Sequence, residues 1–315
     1  MSKAKELDQF FTTEKMAGEC IDVLKPVLES LNYNKVSFLE PSAGGGSFID
    51  AAHDRGYRIF GTDIDPQRDE IEYADFIDDD VERIFENFPG KEELVVIGNP
   101  PFGKRSQLAL DFIEKAFEYS DTVAFILPIQ FMKYLTMKNI DKYARLVVNE
   151  VINPDSFTFE GKAYSVRCVF QVWTKLPITD TNLVDYRIYT APPTKHEDFE
   201  MFIYNCVPSA LWMFDHDWDF AVYRQGWGEF TPLTNSPDLK LDRKKQWMFF
   251  KSANKKVLDN LKNIDFNKLG EKNTSVRGFG KADVVEEYMR LYGKAILNED
   301  DSNKVFEDTE ENTLF

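Results

Sequence analysis

The stretch LVVIGNPPFG, residues 94–103, changes character halfway along. Leu94 to Ile97 form an unbroken apolar run, the pattern of a strand buried on both faces. Pro100 and Pro101 then remove two backbone donors and forbid a helix. A strand of this kind belongs in the middle of a parallel sheet. In open sheets of that type, ligands bind beyond the carboxyl ends of the strands. The chain therefore leaves its strand with Asn99, two rigid prolines and the Phe102 ring placed where a ligand would lie.

Working outward, KVSFLE (35–40), YRIFGTDID (57–65) and TVAFILP (122–128) read as further strands. SFIDAAHDRG reads as a helix after PSAGGG. Residues 106–120 read as another, because Leu108, Phe112 and Ala116, with Ile113 and Phe117, share one face. Strands alternating with helices predict an α/β fold, a parallel sheet covered on both faces. VVNEVI (147–152) and VRCVFQVW (166–173) predict an antiparallel pair closing one edge. The texture changes near residue 180. PITDTN and TAPPTKHEDFE resemble a linker. Residues 200–285 are rich in Trp and Phe and predict a smaller mixed α+β domain. The expected division is 1–180, 181–297 and an acidic, disordered tail at 298–315.

The hydrophobic fraction of 43% supports a sizeable core. Cys20, Cys168 and Cys206 are too far apart for a zinc or disulfide pattern, so no metal is expected, and scattered thiols fit a reducing cytoplasm. No apolar run reaches the roughly 18 residues of a membrane span, and the N-terminus lacks a signal-like core. The net charge is −16, yet residues 240–281 hold 12 Lys/Arg against 4 Asp/Glu. A local balance of +8 on a body of −24 fits a localised nucleic-acid footprint as well as a solvated lysine face.

Three more segments follow strand ends. In FLEPSAGGGSF (38–48), glycines permit positive φ and close approach to a ligand. In GTDIDP (61–66), a carboxylate about 20 residues beyond the glycines suits ribose hydroxyls. Asp63 and Asp65 both qualify. Pro66 predicts a helix start with Asp65 as its N-cap, which leaves Asp63 for the ribose. In YADFIDDD (73–80), Asp75 can take an adenine amino group while Phe76 packs the ring. At GNPPFG, the Asn99 side-chain carbonyl and the Pro100 backbone carbonyl are neutral acceptors. Together they can grip a planar NH2 and free its lone pair, while Phe102 stacks on the ring that bears it.

Glu40–Gly46, Gly61–Pro66, Asp75–Phe76 and Asn99–Phe102, in this order and spacing, resemble the S-adenosylmethionine-dependent amino-methyltransferases, in particular the adenine-N6 DNA methyltransferases with their [DNS]-P-P-[YFW] motif. DQFFTTEKMA (8–17) is similar to the family's QFFTP segment, with Thr13 where proline is usual. The resemblance spans about residues 8–175. It implies a Rossmann-like class I methyltransferase sheet and a C-terminal recognition domain. It implies cofactor contacts from Phe10, Phe11, Thr12, Glu40, Pro41, Ser42, Ala43, Gly44, Gly46, Asp63, Ile64, Asp75, Phe76 and Asn99. It implies a catalytic Asn99, Pro100 and Phe102, and a second aromatic stacking on a flipped base. For that role Phe159 aligns first and Phe157 next.

The partner so implied is double-stranded DNA, methylated as in restriction-modification by flipping adenine out and attacking the cofactor's methyl directly. Arg224, Arg243, Lys244, Lys245, Arg277 and Lys281 are the candidate DNA contacts. An RNA adenine-N6 methyltransferase, a protein glutamine methyltransferase and a non-catalytic binding subunit are the competing readings.

Overall fold

The computed structural model describes residues 11–79, 93–159, 161–178, 180, 182–273 and 276–293. The chain divides into two compact units. The first holds residues up to Ala191 and takes back Glu271–Val276; the second runs from Pro192 to Gly270 and resumes at Arg277. The division thus falls about ten residues beyond the expected position at 180 and is crossed twice more by the chain, because Asn273 is anchored on the first unit. Its side chain accepts from Lys133 Nζ at 3.0 Å and its carbonyl from Arg167 Nε at 2.7 Å. The expected acidic tail lies outside the described residues.

The first unit is built on a seven-stranded sheet. Its strands are β2 (Val36–Glu40), β3 (Arg58–Asp63), β4 (Glu72–Tyr73), β5 (Glu93–Gly98), β6 (Thr122–Pro128), β7 (Arg145–Val151) and β10 (Cys168–Thr174). The order across the sheet is β4-β3-β2-β5-β6-β10-β7, with β10 antiparallel to both neighbours and β2 to β6 parallel. This is a Rossmann-like arrangement. The order reverses between β2 and β5, which opens a crevice at their carboxyl ends. The expected edge pair is present as β7 and β10, and β10 lies inside the sheet between β6 and β7.

Helices cover both faces. α1 (Glu14–Ser30) is capped by Thr13, whose hydroxyl accepts from Met16 N at 3.4 Å. It buries Met16, Ala17, Cys20, Ile21, Leu24 and Leu28 at helical spacing, with Phe38 and Ile97 in the same cluster. α2 (Ser47–Asp54) follows the glycine loop, and α3 (Gln107–Tyr119) packs Ala109, Phe112, Ile113 and Ala116 against the opposite face with Phe125 and Trp173. A short helix, α4, spans Tyr134–Met137. A separate three-stranded sheet joins β1 (Phe11–Thr12) to the hairpin β8 (Phe157–Phe159) and β9 (Lys162–Tyr164).

The second unit has a four-stranded antiparallel sheet of β11 (Glu200–Tyr204), β14 (Gln246–Lys251), β12 (Phe220–Gln225) and β13 (Pro232–Thr234), in that order. Helices α5 (Lys255–Lys262), α6 (Phe266–Gly270) and α7 (Lys281–Tyr292) complete it. The Phe220 and Phe250 rings stack with centroids 4.5 Å apart at its core. Mixed α+β is the expected class for this part of the chain.

No helix among the described residues is long and apolar enough to cross a membrane. Cys20 and Cys168 are buried and Cys206 is exposed, all three as free thiols. Phe125, wholly buried at the centre of β6, sets one expectation. Phe125→Ala should cost about 3–5 kcal/mol, read as a lowered urea midpoint of the full chain.

Candidate functional site

The crevice at the strand-order reversal is a cavity of about 370 Å³. Its walls come from the ends of three strands. After β2 come Pro41, Ser42 and Gly44; after β3, Asp63 and Ile64; after β5, Asn99 to Lys104. Ala74 to Ile77 close one side, and Leu108 and Phe112 form part of the wall on α3. Phe11 of β1 contributes from the separate small sheet. A second cavity of about 30 Å³ is lined by Thr12, Glu40, Ala43, Gly45, Ser47 and Phe48. Phe11, Ser42, Gly44 and Asn99 line both cavities.

The glycine loop is fastened to the neighbouring strand. Ala43 N donates to Thr62 O at 2.9 Å and Gly44 N to Asp63 Oδ2 at 2.7 Å. Asp63 Oδ1 accepts from Asp65 N at 2.7 Å. Gly44 has φ +50, and a Cβ there would meet Phe11 Cε1 at 2.9 Å, so Phe11 is laid directly on the loop. Ser47 Oγ donates to Thr12 O at 2.7 Å, and Ser42 Oγ to Asn99 O at 3.1 Å. The two loops that frame the crevice are thus cross-linked.

Glu40 is 3% exposed, and its Oε2 is buried without a hydrogen-bond partner among the described residues. Thr12 Oγ1 is in the same condition. Burial, and then the nearby Asp63 charge, push the Glu40 carboxyl well above the ordinary range, with Arg68 pulling the other way. Gly98 sits beside it at φ +152, where a Cβ would press on Glu40 Cγ at 3.2 Å. The strand exit therefore needs glycine immediately before Asn99.

The sequence-predicted residues fall as follows. Pro41, Ser42, Gly44, Asp63, Ile64, Asp75, Phe76, Asn99, Pro100 and Phe102 line the larger cavity, and Thr12, Glu40 and Ala43 the smaller. Phe10 lies outside the described residues. Gly46, at φ +81, lies under the Arg68 guanidinium at the start of α2 and lines neither cavity. The expected helix after Asp65 is a correction: residues 64–70 form bends and turns, because Asp63 holds the Asp65 amide and Arg68 turns back to pair with Asp50 at 2.6 Å. Asp75 shapes its own turn, accepting from Ile77 N at 3.1 Å. Phe76 is 2% exposed and packs on Phe112, with ring centroids 5.3 Å apart, so most of its ring serves the core.

Phe102 is 9% exposed, and Phe157 at 1% is buried in the same apolar cluster. That burial leaves Phe157 no face for a base. Phe159 is half-buried, 5.7 Å from the Tyr164 ring on the β8–β9 hairpin. β8 pairs with β1, Thr158 opposite Phe11, so the hairpin is tied to a strand that walls the cavity. Sequence reasoning missed Lys104, Leu108 and Phe112 as wall residues. Lys104 directly follows Gly103, and that adjacency was the available signal; Phe112 registered only as core.

In the second unit the predicted basic residues divide. Arg224 is half-buried and donates to Phe279 O, Asn205 Oδ1 and Gln246 Oε1, and burial lowers its pKa. Arg277 donates to Asn267 O and Oδ1 and lies over the Phe230 ring. Lys281 is the first residue of α7. Arg243, Lys244 and Lys245 are exposed and consecutive.

No family model and no curated protein matches the chain. Solved structures match it at low identity. A candidate RNA methyltransferase of Pyrococcus horikoshii is 17% identical with a TM-score of 0.41, over 55% of this chain and 88% of its own. A candidate hemolysin of Lactococcus lactis is 11% identical with a TM-score of 0.32, over 48% and 85%. The tRNA (uracil-54, C5)-methyltransferase of Pyrococcus abyssi, solved with S-adenosyl-L-homocysteine, is 15% identical with a TM-score of 0.29, over 50% and 38%.

Glu40 sets a pH expectation. Its folded pKa lies above the unfolded value of about 4.3. The folded state therefore holds this proton more tightly than the unfolded chain. The stability so contributed is complete below about pH 4 and is lost as pH rises toward the folded pKa. As pH rises from 5, the melting temperature of Glu40→Gln should gain on that of the wild type until the folded carboxyl ionises, as read by scanning calorimetry of the ligand-free protein.

Proposed function

We propose that this chain is an S-adenosylmethionine-dependent methyltransferase acting on the N6 amino group of adenine in DNA. One observation carries the reading. Asn99, which opens the Asn-Pro-Pro-Phe segment, stands at the junction of a nucleoside-sized cavity and a small cavity that holds buried polar atoms lacking partners.

The residues present fit that cofactor. Asp63 has lone pairs remaining on both oxygens for ribose hydroxyls, since each of the two amide bonds to it uses only one. Ile64 and Phe76 offer apolar walls for adenine, and Asp75 an acceptor for its amino group. Glu40 and Thr12 would serve the charged amino-acid end, where a cation would also remove the cost of ionising Glu40. When bound, the cofactor supplies an electrophilic methyl on a sulfonium and leaves as S-adenosylhomocysteine.

The rest is done by this chain. Asn99 Oδ1 and the Pro100 carbonyl accept from the target NH2 and draw its nitrogen toward tetrahedral geometry. The nitrogen so held would attack the methyl that the bound cofactor would supply, with S-adenosylhomocysteine as the leaving group, and would then release a proton to solvent. Rigid prolines hold both acceptors before the reaction begins, so little reorganisation opposes it. Phe102 presents a ring to one face of the base and Phe159 to the other. Extruding a base costs a few kcal/mol, and stacking at about 1–3 kcal/mol per ring offsets much of it.

Incubation with methyl-labelled cofactor and duplex DNA, RNA or total protein tests this directly. Label should enter DNA, at N6-methyladenine after digestion; label confined to RNA or protein would refute the DNA assignment. Asn99→Ala should lower kcat by roughly 100- to 1,000-fold, as loss of one preorganised polar contact does elsewhere. Its cofactor affinity, measured by calorimetry, should fall by far less than kcat, since the acceptor amine is the group Asn99 Oδ1 polarises.

A further inference from the structure

The second unit carries an aromatic ring that its own fold leaves outside. Trp227 is 76% exposed, at the tip of the Gly226–Trp227–Gly228 turn after β12. The turn is anchored at both ends. Gly226 N donates to Arg277 O at 2.9 Å, and Phe230 N to Asn267 Oδ1 at 3.1 Å. It also lies flat on Tyr223, since a Cβ at Gly226 would coincide with the Tyr223 hydroxyl at 1.6 Å. A large apolar ring held out on an anchored turn offers a stacking face without the entropy cost of ordering a loose loop.

The surroundings say what would cover it. β12 and β14 pair Tyr223 with Trp247 and Gln225 with Gln246, so the turn before β14 stands at the same end of the sheet. That turn exposes Arg243, Lys244 and Lys245 in succession. Lys245 Nζ lies 5.1 Å over the Tyr223 ring on which the Trp227 turn rests. Asp242, the acid of the turn, uses its carboxylate on the Lys244 amide at 2.9 Å and its carbonyl on Trp247 Nε1 at 2.8 Å. Glu229, exposed beside Trp227, disfavours a bare anion at the ring itself. A planar, uncharged ring with an anionic chain running beside it suits both features. That is a nucleobase on a phosphodiester backbone.

From this we infer that Trp227 and the Arg243–Lys245 turn form a nucleic-acid contact surface, with Trp227 stacking on a base and Lys244 and Lys245 meeting backbone phosphates. The assignment of that nucleic acid as DNA rests on the function proposed above. Arg224 and Arg277, in contrast, are positioning residues: Arg224 donates to Phe279 O and Gln246 Oε1, and Arg277 donates to Asn267 O and Oδ1.

The test uses the full chain and a fluorescein-labelled 30-base-pair duplex, with anisotropy titrations from 50 to 300 mM salt. Trp227→Ala should weaken binding about tenfold, within the roughly 5- to 100-fold span of one lost base stack, and leave the salt slope unchanged. Trp227→Phe should recover most of that loss. The double variant Lys244→Ala, Lys245→Ala should reduce the slope of log affinity against log salt by about 2. Urea midpoints of all variants should match wild type, because each changed side chain is exposed. Wild-type affinity in Trp227→Ala, or a Phe variant as weak as the Ala variant, would overturn the stacking role. An unchanged salt slope in the double lysine variant would overturn the phosphate contacts. A parallel assay of labelled methyl transfer to DNA separates the two proposals. Transfer with no effect of Trp227→Ala on affinity sinks this surface alone, whereas neither binding nor transfer sinks the DNA reading and this inference with it. Trp227-dependent binding of single-stranded RNA in preference to the duplex would overturn DNA as the partner.

Discussion

The Asp63 carboxylate organises the crevice. One oxygen takes the Gly44 amide and the other the Asp65 amide, each at 2.7 Å. The first bond ties the glycine loop after β2 to the end of β3; the second folds the chain back after β3 and stops it from continuing as a helix. Glycines make the loop possible, at φ +50 for Gly44 and +81 for Gly46, but glycines alone do not fix a loop in one shape. Without a carboxylate at that strand end, the loop would lose the partner that sets its distance from Ile64 and Asp75. The ligand wall and the loop are therefore one hydrogen-bonded object.

This explains why the strand ends were legible from the sequence while the turn after Asp65 was not. Runs such as Val95–Ile97 and Ala124–Leu127 are buried on both faces, and unbroken hydrophobicity reports that state directly. Asp-Pro at 65–66 carries a local helix-start signal, and the Asp63 bond to the Asp65 amide together with the tertiary Arg68–Asp50 pair overrides it. The helix α1 was hidden for a different reason. Gly18 and Pro26 both argue against a helix locally. Gly18 lets the Arg55 guanidinium lie against the helix, 2.6 Å from where a Cβ would be, and Arg55 in turn pairs with Asp22 at 2.7 Å. Packing of the Cys20, Ile21 and Leu24 face then holds a helix that propensity alone would not favour.

Basic residues showed the converse problem. Counting Lys and Arg over residues 240–281 finds a charged segment without telling a surface cation from a buried hydrogen-bond donor. Arg224 joins β12 to the chain before α7 through Phe279 O, and Arg277 joins that chain to α6 through Asn267. Their guanidinium groups suit that task because several fixed donors reach several carbonyls at once. Lysine offers no such fork, and the lysines of the turn before β14 stay in solvent.

The aromatic residues follow the same division between core and surface. Phe157 and Phe159 are two apart on one strand, so their side chains point to opposite faces only if the strand twists or curls away from strict alternation; in a flat strand they would share a face. Yet Phe157 is buried with Phe102 while Phe159 is partly open and meets Tyr164. Phe157 stands opposite Thr12 of β1 and Tyr164 of β9, whereas Phe159 stands opposite Lys162 of β9. Position along the strand, and not the face it presents, separates the core ring from the more open one. β1 also carries the wall residue Phe11, so the strand that walls the cavity and the hairpin that bears Phe159 are joined by backbone pairing.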